Sequence, residues 1–151
     1  AREDPGRFPG DTAVKEKITV LDKEYEVTCV SMGNPRCVIF GKDPDMIDLE
    51  KIGPHFEHFE KFPERINTEF IEVLDKHTLK MRVWERGSGE TMACGTGACA
   101  SAVAACLNGY CKKGEDITVK LRGGDLVIHY TDDGVQMTGS ADTVFTGVVE
   151  I

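Results

Sequence analysis

The stretch GETMACGTGACASAVAACLNGY, residues 89–110, decides the fold of this chain. It carries no charge after Glu90, and its second part, CASAVAACL at 99–107, consists of small residues that leave no polar face. Alanine is the strongest helix former, and a helix without a polar face is buried on all sides. The stretch therefore predicts a buried central helix that stops at Asn108-Gly109, since glycine is a common C-terminal stop.

The start of this helix, Cys94-Gly95-Thr96-Gly97, is where the chemistry is expected. The amides of a first helical turn have no partner within the helix, and glycine lets a ligand approach them. With Thr96 as the expected N-cap, the segment predicts a site for a carboxylate or phosphate. A thiol at a helix N-terminus ionises more readily, so Cys94 is a candidate nucleophile or base. The alternative is a structural cysteine that precedes a capped helix.

Runs of alternating or β-branched residues, separated by glycine, proline and asparagine turns, predict strands elsewhere in the chain. The predicted strands cover 24–32, 36–41, 67–75, 78–86, 116–122, 125–131, 134–139 and 143–151, and a helical pattern over 48–62 is interrupted at Gly53-Pro54. Short strands joined by tight turns favour a mostly antiparallel α+β domain. We expect residues 1–16 to form a linker or arm and residues 17–151 to form the domain.

One predicted strand places a carboxylate where an apolar residue is expected. Leu79, Met81 and Val83 alternate along one face, and the same period continues to Glu85. A carboxylate in a buried row needs a partner or a function. The alternative is that the strand ends at Val83 and that Glu85 is solvated.

Bulk composition narrows the function classes. The 151 residues fit one domain, and the net charge of −8, from 18 basic and 26 acidic residues, disfavours binding to nucleic acid. The uncharged run at 91–110 contains too few strongly apolar residues for a membrane span, and the polar start AREDPGRFPG leads us to expect no signal peptide. Six cysteines without a C-x-x-C pair suggest reduced thiols in a cytoplasmic protein. Their spacing does not suit a zinc site, and we expect no metal.

Three segments in this order resemble a known enzyme family. They are SMGNP at 31–35, NTEF at 67–70 and ERGSGETMACGTGA at 85–98. The last segment is similar to the signature of the second half of diaminopimelate epimerases. The resemblance covers nearly the whole chain after about residue 17. Proline racemases and phenazine-type isomerases share the fold more loosely.

The resemblance implies two similar halves, each a curved sheet wrapped around a central helix, with the active site between them. Each half supplies one cysteine, and the pair inverts an α-carbon to interconvert LL- and meso-diaminopimelate for lysine and peptidoglycan synthesis. No pyridoxal phosphate, other cofactor or metal is implied. Removing a Cα proton needs a base on one face and an acid on the other, and a thiolate and a thiol can exchange these roles.

The resemblance also assigns roles to particular residues. Cys94 is implied as an acid/base, and six residues are implied to bind the amino-acid substrate: Asn34, Asn67, Glu85, Arg86, Gly95 and Thr96. Glu85 and Arg86 hold the amino and carboxylate ends, and Asn34 and Asn67 donate or accept amide hydrogen bonds. The alternatives are that Asn34 is a turn residue before Pro35 and that Asn67 caps the start of a strand.

This chain departs from the family in two ways. The family usually has histidine after Gly-Asn-Pro, and Arg36 stands there instead, a permanent cation in place of a neutral imidazole. The Cys-Gly-Asn-Gly motif of the family's first half is absent, so the chain resembles the C-terminal half. We therefore expect the N-terminal half as its partner, no epimerisation by this chain alone, and an uncovered apolar surface that favours a homo-oligomer.

Other functions remain open on the sequence alone. A proline racemase-like isomerase shares the general fold. A non-catalytic small-molecule binding module would keep the anion site but would not need a reactive Cys94. A redox sensor that pairs Cys94 with Cys99 is disfavoured because their offset along the helix points the two thiols in different directions.

Overall fold

The computed structural model describes residues 13–150, which form one nine-stranded sheet and two α-helices. The strands are β1 (Glu16–Val20), β2 (Lys23–Ser31), β3 (Pro35–Phe40), β4 (Asn67–Asp75), β5 (Thr78–Glu85), β6 (Gly89–Thr91), β7 (Asp116–Leu121), β8 (Gly124–Thr131) and β9 (Gly134–Thr138). The helices are α1 (Leu49–Glu57) and α2 (Gly95–Leu107), and a short 3-10 helix spans Pro44–Met46.

The sheet order is β1-β2-β3-β4-β5-β7-β8-β9, with β6 paired to β5. Two neighbouring pairs, β3–β4 and β5–β7, are parallel, and the other pairs are antiparallel. The chain between the strands of each parallel pair contains a helix, because a parallel pair needs a long crossover connection. The expected α+β class with a mostly antiparallel sheet is confirmed.

Helix α2 packs against one face of the sheet and contacts seven of its strands: β2, β3, β4, β5, β7, β8 and β9. Its residues from Gly97 to Ala105 are all buried, as the absence of a polar face predicted. Asn108 caps its C-terminus and donates from Nδ2 to Thr28 Oγ1 of β2 at 2.9 Å. The predicted stop at Asn108-Gly109 is confirmed, and Gly109 has the positive φ of 79° that such a stop requires.

The two faces of the sheet bury different cores. On β5, Leu79, Met81 and Val83 join the core around α2, whereas Trp84 joins the core beneath α1. The predicted alternation of this strand is therefore confirmed. Helix α1 approaches the sheet closely, because an added Cβ on Gly53 would lie 2.2 Å from Cδ2 of Trp84.

The predicted interruption at Gly53-Pro54 is wrong, because α1 runs through both residues. Its N-terminus is capped by Asp48, whose carboxylate accepts from the amide of Lys51 at 3.3 Å. Proline inside a helix removes one hydrogen bond. The completely buried Phe56 compensates for this loss by packing edge-on against Tyr25 and Phe70.

The predicted strand at 143–151 is also wrong over its described part, since 143–150 contain no strand. Val144, Phe145 and Val148 are 90%, 83% and 99% exposed. Strand propensity is realised only when a segment pairs with an edge and covers a surface, and this segment pairs with neither edge strand of the sheet, β1 or β9. Strands β1 and β6 were not predicted.

Most of the predicted arm, residues 1–12, lies outside the described residues. Ala13 is completely buried, and its carbonyl accepts from the amide of Cys29 at 2.7 Å. Within the described stretch, no helix is both long enough and apolar enough to span a bilayer.

Candidate active site

Cys94 is the N-cap residue of α2, with extended backbone angles of φ −145° and ψ 105°. It is 7% exposed and lies at the edge of the core that surrounds the helix. The first-turn amides of Gly95, Thr96 and Gly97 have no carbonyl of the helix to bond. Cys94 therefore immediately precedes a set of backbone donors, and its side chain makes no cap hydrogen bond to them.

The expectation that Thr96 is the N-cap is wrong, because α2 begins one residue before it, at Gly95. No side-chain cap is present at Cys94. The hydroxyl of Thr96 instead accepts a hydrogen bond from Nη2 of Arg36 at 2.5 Å, and it lies 3.7 Å from Sγ of Cys94. The side chain of Thr96 thus connects the cation of β3 to the thiol.

Arg36 lies beneath the start of α2 and is 1% exposed. Its Nη1 donates to Oε1 of Glu69 at 2.6 Å, and Glu69 is completely buried. Strands β3 and β4 bring the pair together because they run parallel, with Arg36 opposite Asn67 and Val38 opposite Glu69. Arg36, which stands where the resemblance implies a histidine, is therefore part of a buried ion pair at the site.

Gly97 is the point at which the groups of the site converge. An added Cβ on this residue would lie 2.9 Å from Oε1 of Glu69, 3.2 Å from Nη1 of Arg36 and 3.3 Å from Sγ of Cys94. Only a residue without a side chain leaves these atoms in place. The second glycine of the motif is therefore required by packing against the ion pair and the thiol.

Burial governs the electrostatics of the ion pair. Burial, together with the smaller effect of the Glu85 charge, raises the pKa of Glu69 from 4.5 to about 7, against the opposing charge and hydrogen bond of Arg36. Burial also acts to lower the pKa of Arg36, but the charges and hydrogen bonds of Glu69 and Cys94 outweigh it and raise that pKa. Four buried side-chain atoms have no hydrogen-bond partner among the described residues: Asn34 Oδ1, Arg36 Nε, Thr68 Oγ1 and Glu69 Oε2.

Asn67, at the start of β4, links two other candidate residues. Its Nδ2 donates to the carbonyl of Pro35 at 3.2 Å, and its Oδ1 accepts from the amide of Arg86 at 3.0 Å. Asn67 thus ties the turn that contains Asn34 to the end of β5. The guanidinium of Arg86 is exposed and donates to the carbonyl of Glu64 at 3.1 Å.

Strand β5 continues to Glu85, so the alternative of a strand that ends at Val83 is wrong. Glu85 is half-buried, and its Oε1 accepts from Thr91 Oγ1 of β6 at 2.6 Å. The carboxylate acts on Glu69 electrostatically, which places it in the same group of charges as the ion pair. The contacts thus form two groups: Cys94 and Thr96 are linked through Arg36 to Glu69 and Glu85, and Asn67 is linked to Pro35 and to the amide of Arg86.

Sequence reasoning missed Glu69, Thr91 and Met137. Glu69 could have been predicted, because alternation along β4 places it on the same face as Ile71 and Val73. The same alternation along β5 predicted the position of Glu85. Met137 of β9 has its Sδ 3.0 Å from the position of an added Cβ on Gly95. No local pattern could show that contact, because β9 reaches α2 only through the sheet topology.

All six cysteines are free thiols. Among residues 13–150, no group of three His, Cys, Asp or Glu side chains is arranged to hold a metal ion. A cavity of about 550 Å³ lies at the other end of α2, lined by residues that include His77, Tyr110, Cys111 and Glu115. Cys94 does not line that cavity, so it is separate from the candidate site.

The fold is similar to that of solved phenazine biosynthesis proteins of the PhzF family. The crystal structure of the Bacillus anthracis phenazine biosynthesis protein, PhzF family, matches with a TM-score of 0.53 and 21% identity over 81% of this chain and 40% of that chain. The corresponding protein of Enterococcus faecalis matches with a TM-score of 0.51 and 17% identity over 72% of this chain and 40% of that chain. At these identities the likeness establishes the fold alone.

Sequence comparison identifies the family. The family model for diaminopimelate epimerase matches residues 28–144. The diaminopimelate epimerase of Acetivibrio thermocellus is 56% identical over 90% of this chain and 49% of its own length. The diaminopimelate epimerase of Methanococcus maripaludis strain S2 is 52% identical over 100% of this chain and 54% of its own length. That of Nostoc punctiforme is 54% identical over 94% of this chain and 53% of its own length. The chain belongs to the diaminopimelate epimerase family, and it spans about half the length of these relatives.

Proposed function

We propose that this chain forms the C-terminal half of an epimerase that interconverts LL- and meso-diaminopimelate without a cofactor or metal. The proposal is supported by membership of the family and by relatives about twice as long that carry this name. The single observation that carries it is the position of Cys94 at the start of α2, beside first-turn amides and the Arg36 guanidinium. The product serves lysine and peptidoglycan synthesis in the cytoplasm.

In the proposed reaction, the thiolate of Cys94 takes the proton from Cα of the substrate. An S–H bond forms as the C–H bond breaks, and the electron pair stays on Cα. The thiol of a second cysteine, supplied by the N-terminal half, then donates its proton to the opposite face of Cα. The two sulfurs exchange roles when the direction of inversion reverses.

The substrate carboxylate carries more negative charge as the proton leaves, so fixed donors must face it. The first-turn amides of Gly95 and Thr96 are suited to this role, because donors held in place need no reorganisation during the reaction. We assign Glu85 and Arg86 to the amino and carboxylate ends of the substrate, with Asn34 and Asn67 as amide contacts. Asn67 acts partly through position, since it already bonds Pro35 and the Arg86 amide.

The test is an assay of three samples: the 151-residue chain alone, its two-half parent, and the parent with Cys94→Ala. The proposal predicts LL-to-meso turnover by the intact parent only. Turnover by the isolated chain would contradict the need for a second cysteine. Inversion of proline instead of diaminopimelate would favour a proline racemase-like isomerase, and binding without turnover by the parent would favour a binding module.

A further inference from the structure

The buried pair Arg36–Glu69 requires an explanation beyond stability. Burying two charges is expensive, and replacing such a pair by apolar residues is often neutral or stabilising. Here Glu69 is completely buried and Arg36 is 1% exposed, while Glu69 Oε2 and Arg36 Nε have no partner among residues 13–150. Packing alone therefore does not account for the pair. The guanidinium has a second contact, and that contact leads to the thiol.

The direction of the hydrogen bonds around Thr96 follows from the chemistry of arginine. A guanidinium only donates, so Oγ1 of Thr96 is the acceptor in its 2.5 Å bond with Nη2 of Arg36. The proton of the Thr96 hydroxyl is then free to point away from Arg36. Sγ of Cys94 lies 3.7 Å from this hydroxyl, within hydrogen-bond reach of sulfur. A donor in this position favours a negatively charged sulfur.

The positive charge itself also faces the sulfur. Nη1 of Arg36 and Sγ of Cys94 both border the open face of Gly97, at 3.2 Å and 3.3 Å from the position of an added Cβ. The pKa of Arg36 is raised because Glu69 and Cys94 together outweigh the effect of burial. Glu69 holds the guanidinium in this place through its 2.6 Å contact with Nη1.

We propose that Arg36 is a positioning residue that stabilises the thiolate of Cys94, through the hydroxyl of Thr96 and through its own charge, while Glu69 fixes the guanidinium. This inference rests on the proposed function, in which Cys94 is the base. It extends that function by assigning Arg36 a role in the ionisation of Cys94, which the sequence around Arg36 does not indicate. The ionisable groups that face Cys94 are Arg36 of β3 and Cys99 of α2, with Glu69 of β4 and Glu85 of β5 behind Arg36.

The experiment measures the rate of Cys94 alkylation by iodoacetamide as a function of pH in the 151-residue chain, with the modified cysteine located by peptide mass spectrometry. Two variants remove the network in different ways. Thr96→Val removes the hydroxyl at an exposed position and keeps the side-chain volume. The double variant Arg36→Met with Glu69→Met removes both charges together, so that neither is left buried and unpaired.

A matched control is available on the other face of the sheet. Arg82 is 8% exposed and contacts Glu90 through two hydrogen bonds of 2.8 Å. The double variant Arg82→Met with Glu90→Met removes a similar ion pair that does not contact Cys94. Circular dichroism of each variant checks whether the fold is retained.

The expected result is an upward shift of the alkylation midpoint by about one pH unit in both network variants, a roughly tenfold slower reaction at neutral pH. Combining Thr96→Val with the double variant adds less than the sum of the separate shifts. The control variant keeps the midpoint of the unchanged chain. Midpoints that do not move in folded network variants, or that move equally in the control, would overturn the inference. Alkylation needs no turnover, so this outcome is distinct from a failure of the two-half parent to epimerise.

Discussion

Replacing Gly97 by alanine tests the geometry of the site through its effect on the free energy of unfolding. The new Cβ would lie 2.9 Å from Oε1 of Glu69, a carboxylate that is completely buried and held at 2.6 Å by Arg36. Alanine gains up to about 1 kcal/mol over glycine in helix propensity. Overpacking a fixed neighbour costs about 1–3 kcal/mol. We expect a net loss of up to about 2 kcal/mol in the free energy of unfolding.

Gly95→Ala is the matched comparison, because it makes the same change two positions earlier in the same helix. Its Cβ would meet only the Sδ and Cε atoms of Met137, at 3.0 and 3.1 Å, and Met137 is a flexible side chain that is 51% exposed. Met137 can move aside, so we expect Gly95→Ala to be neutral or slightly stabilising. Thermal unfolding followed by circular dichroism should place Gly97→Ala about 4–8 °C below Gly95→Ala, for a difference of about 2 kcal/mol. Equal melting temperatures would refute the convergence of Glu69, Arg36 and Cys94 on Gly97.

Three further changes have defined outcomes. Burial raises the pKa of Glu69 from 4.5 to about 7, so between these two pH values the folded state keeps a proton that the unfolded chain loses, and the free energy of unfolding should fall as pH rises. Urea midpoints measured across this range should fall with pH in the unchanged chain and fall less in Glu69→Gln. Identical slopes in the two proteins would contradict the prediction. Gly53→Ala places a Cβ 2.2 Å from Trp84 and should lower stability by about 1–3 kcal/mol in thermal unfolding, whereas an unchanged melting temperature would show that α1 does not lie this close. Residues 141–150 lie outside every strand, and Val144 and Phe145 are exposed. Deleting 141–150 should therefore change the free energy of unfolding by less than about 0.5 kcal/mol, and a larger loss would indicate contacts of this segment with the domain.

Local patterns predicted those parts of the fold that are governed by local physics. The small residues of α2 predicted its burial, because only a helix without a polar face can be surrounded by strands. Alternation along β5 predicted both its buried face and the position of Glu85. The same alternation along β4 places Glu69 on the buried face with Ile71 and Val73.

The errors occurred where tertiary contacts outweigh local signals. Pro54 suggested a break, but the burial of Phe56 holds α1 together across it. The segment 143–150 has strand-forming residues, but it pairs with neither edge strand of the described sheet, β1 or β9. Thr96 is a residue type that often caps helices, yet α2 starts at Gly95. The hydroxyl of Thr96 accepts a hydrogen bond from Arg36, which is 60 positions away in the sequence. None of these outcomes is encoded within a few residues of sequence.

The central claim is that Cys94 moves the α-proton of the substrate. The direct measurement is deuterium incorporation at Cα of diaminopimelate in heavy water, catalysed by the two-half parent with and without Cys94→Ala. We predict incorporation by the unchanged parent from both the LL and the meso isomer, and at least about a hundredfold slower incorporation by the folded variant from one of them, the isomer whose α-proton faces Cys94. Undiminished exchange from both isomers by folded Cys94→Ala would contradict the account.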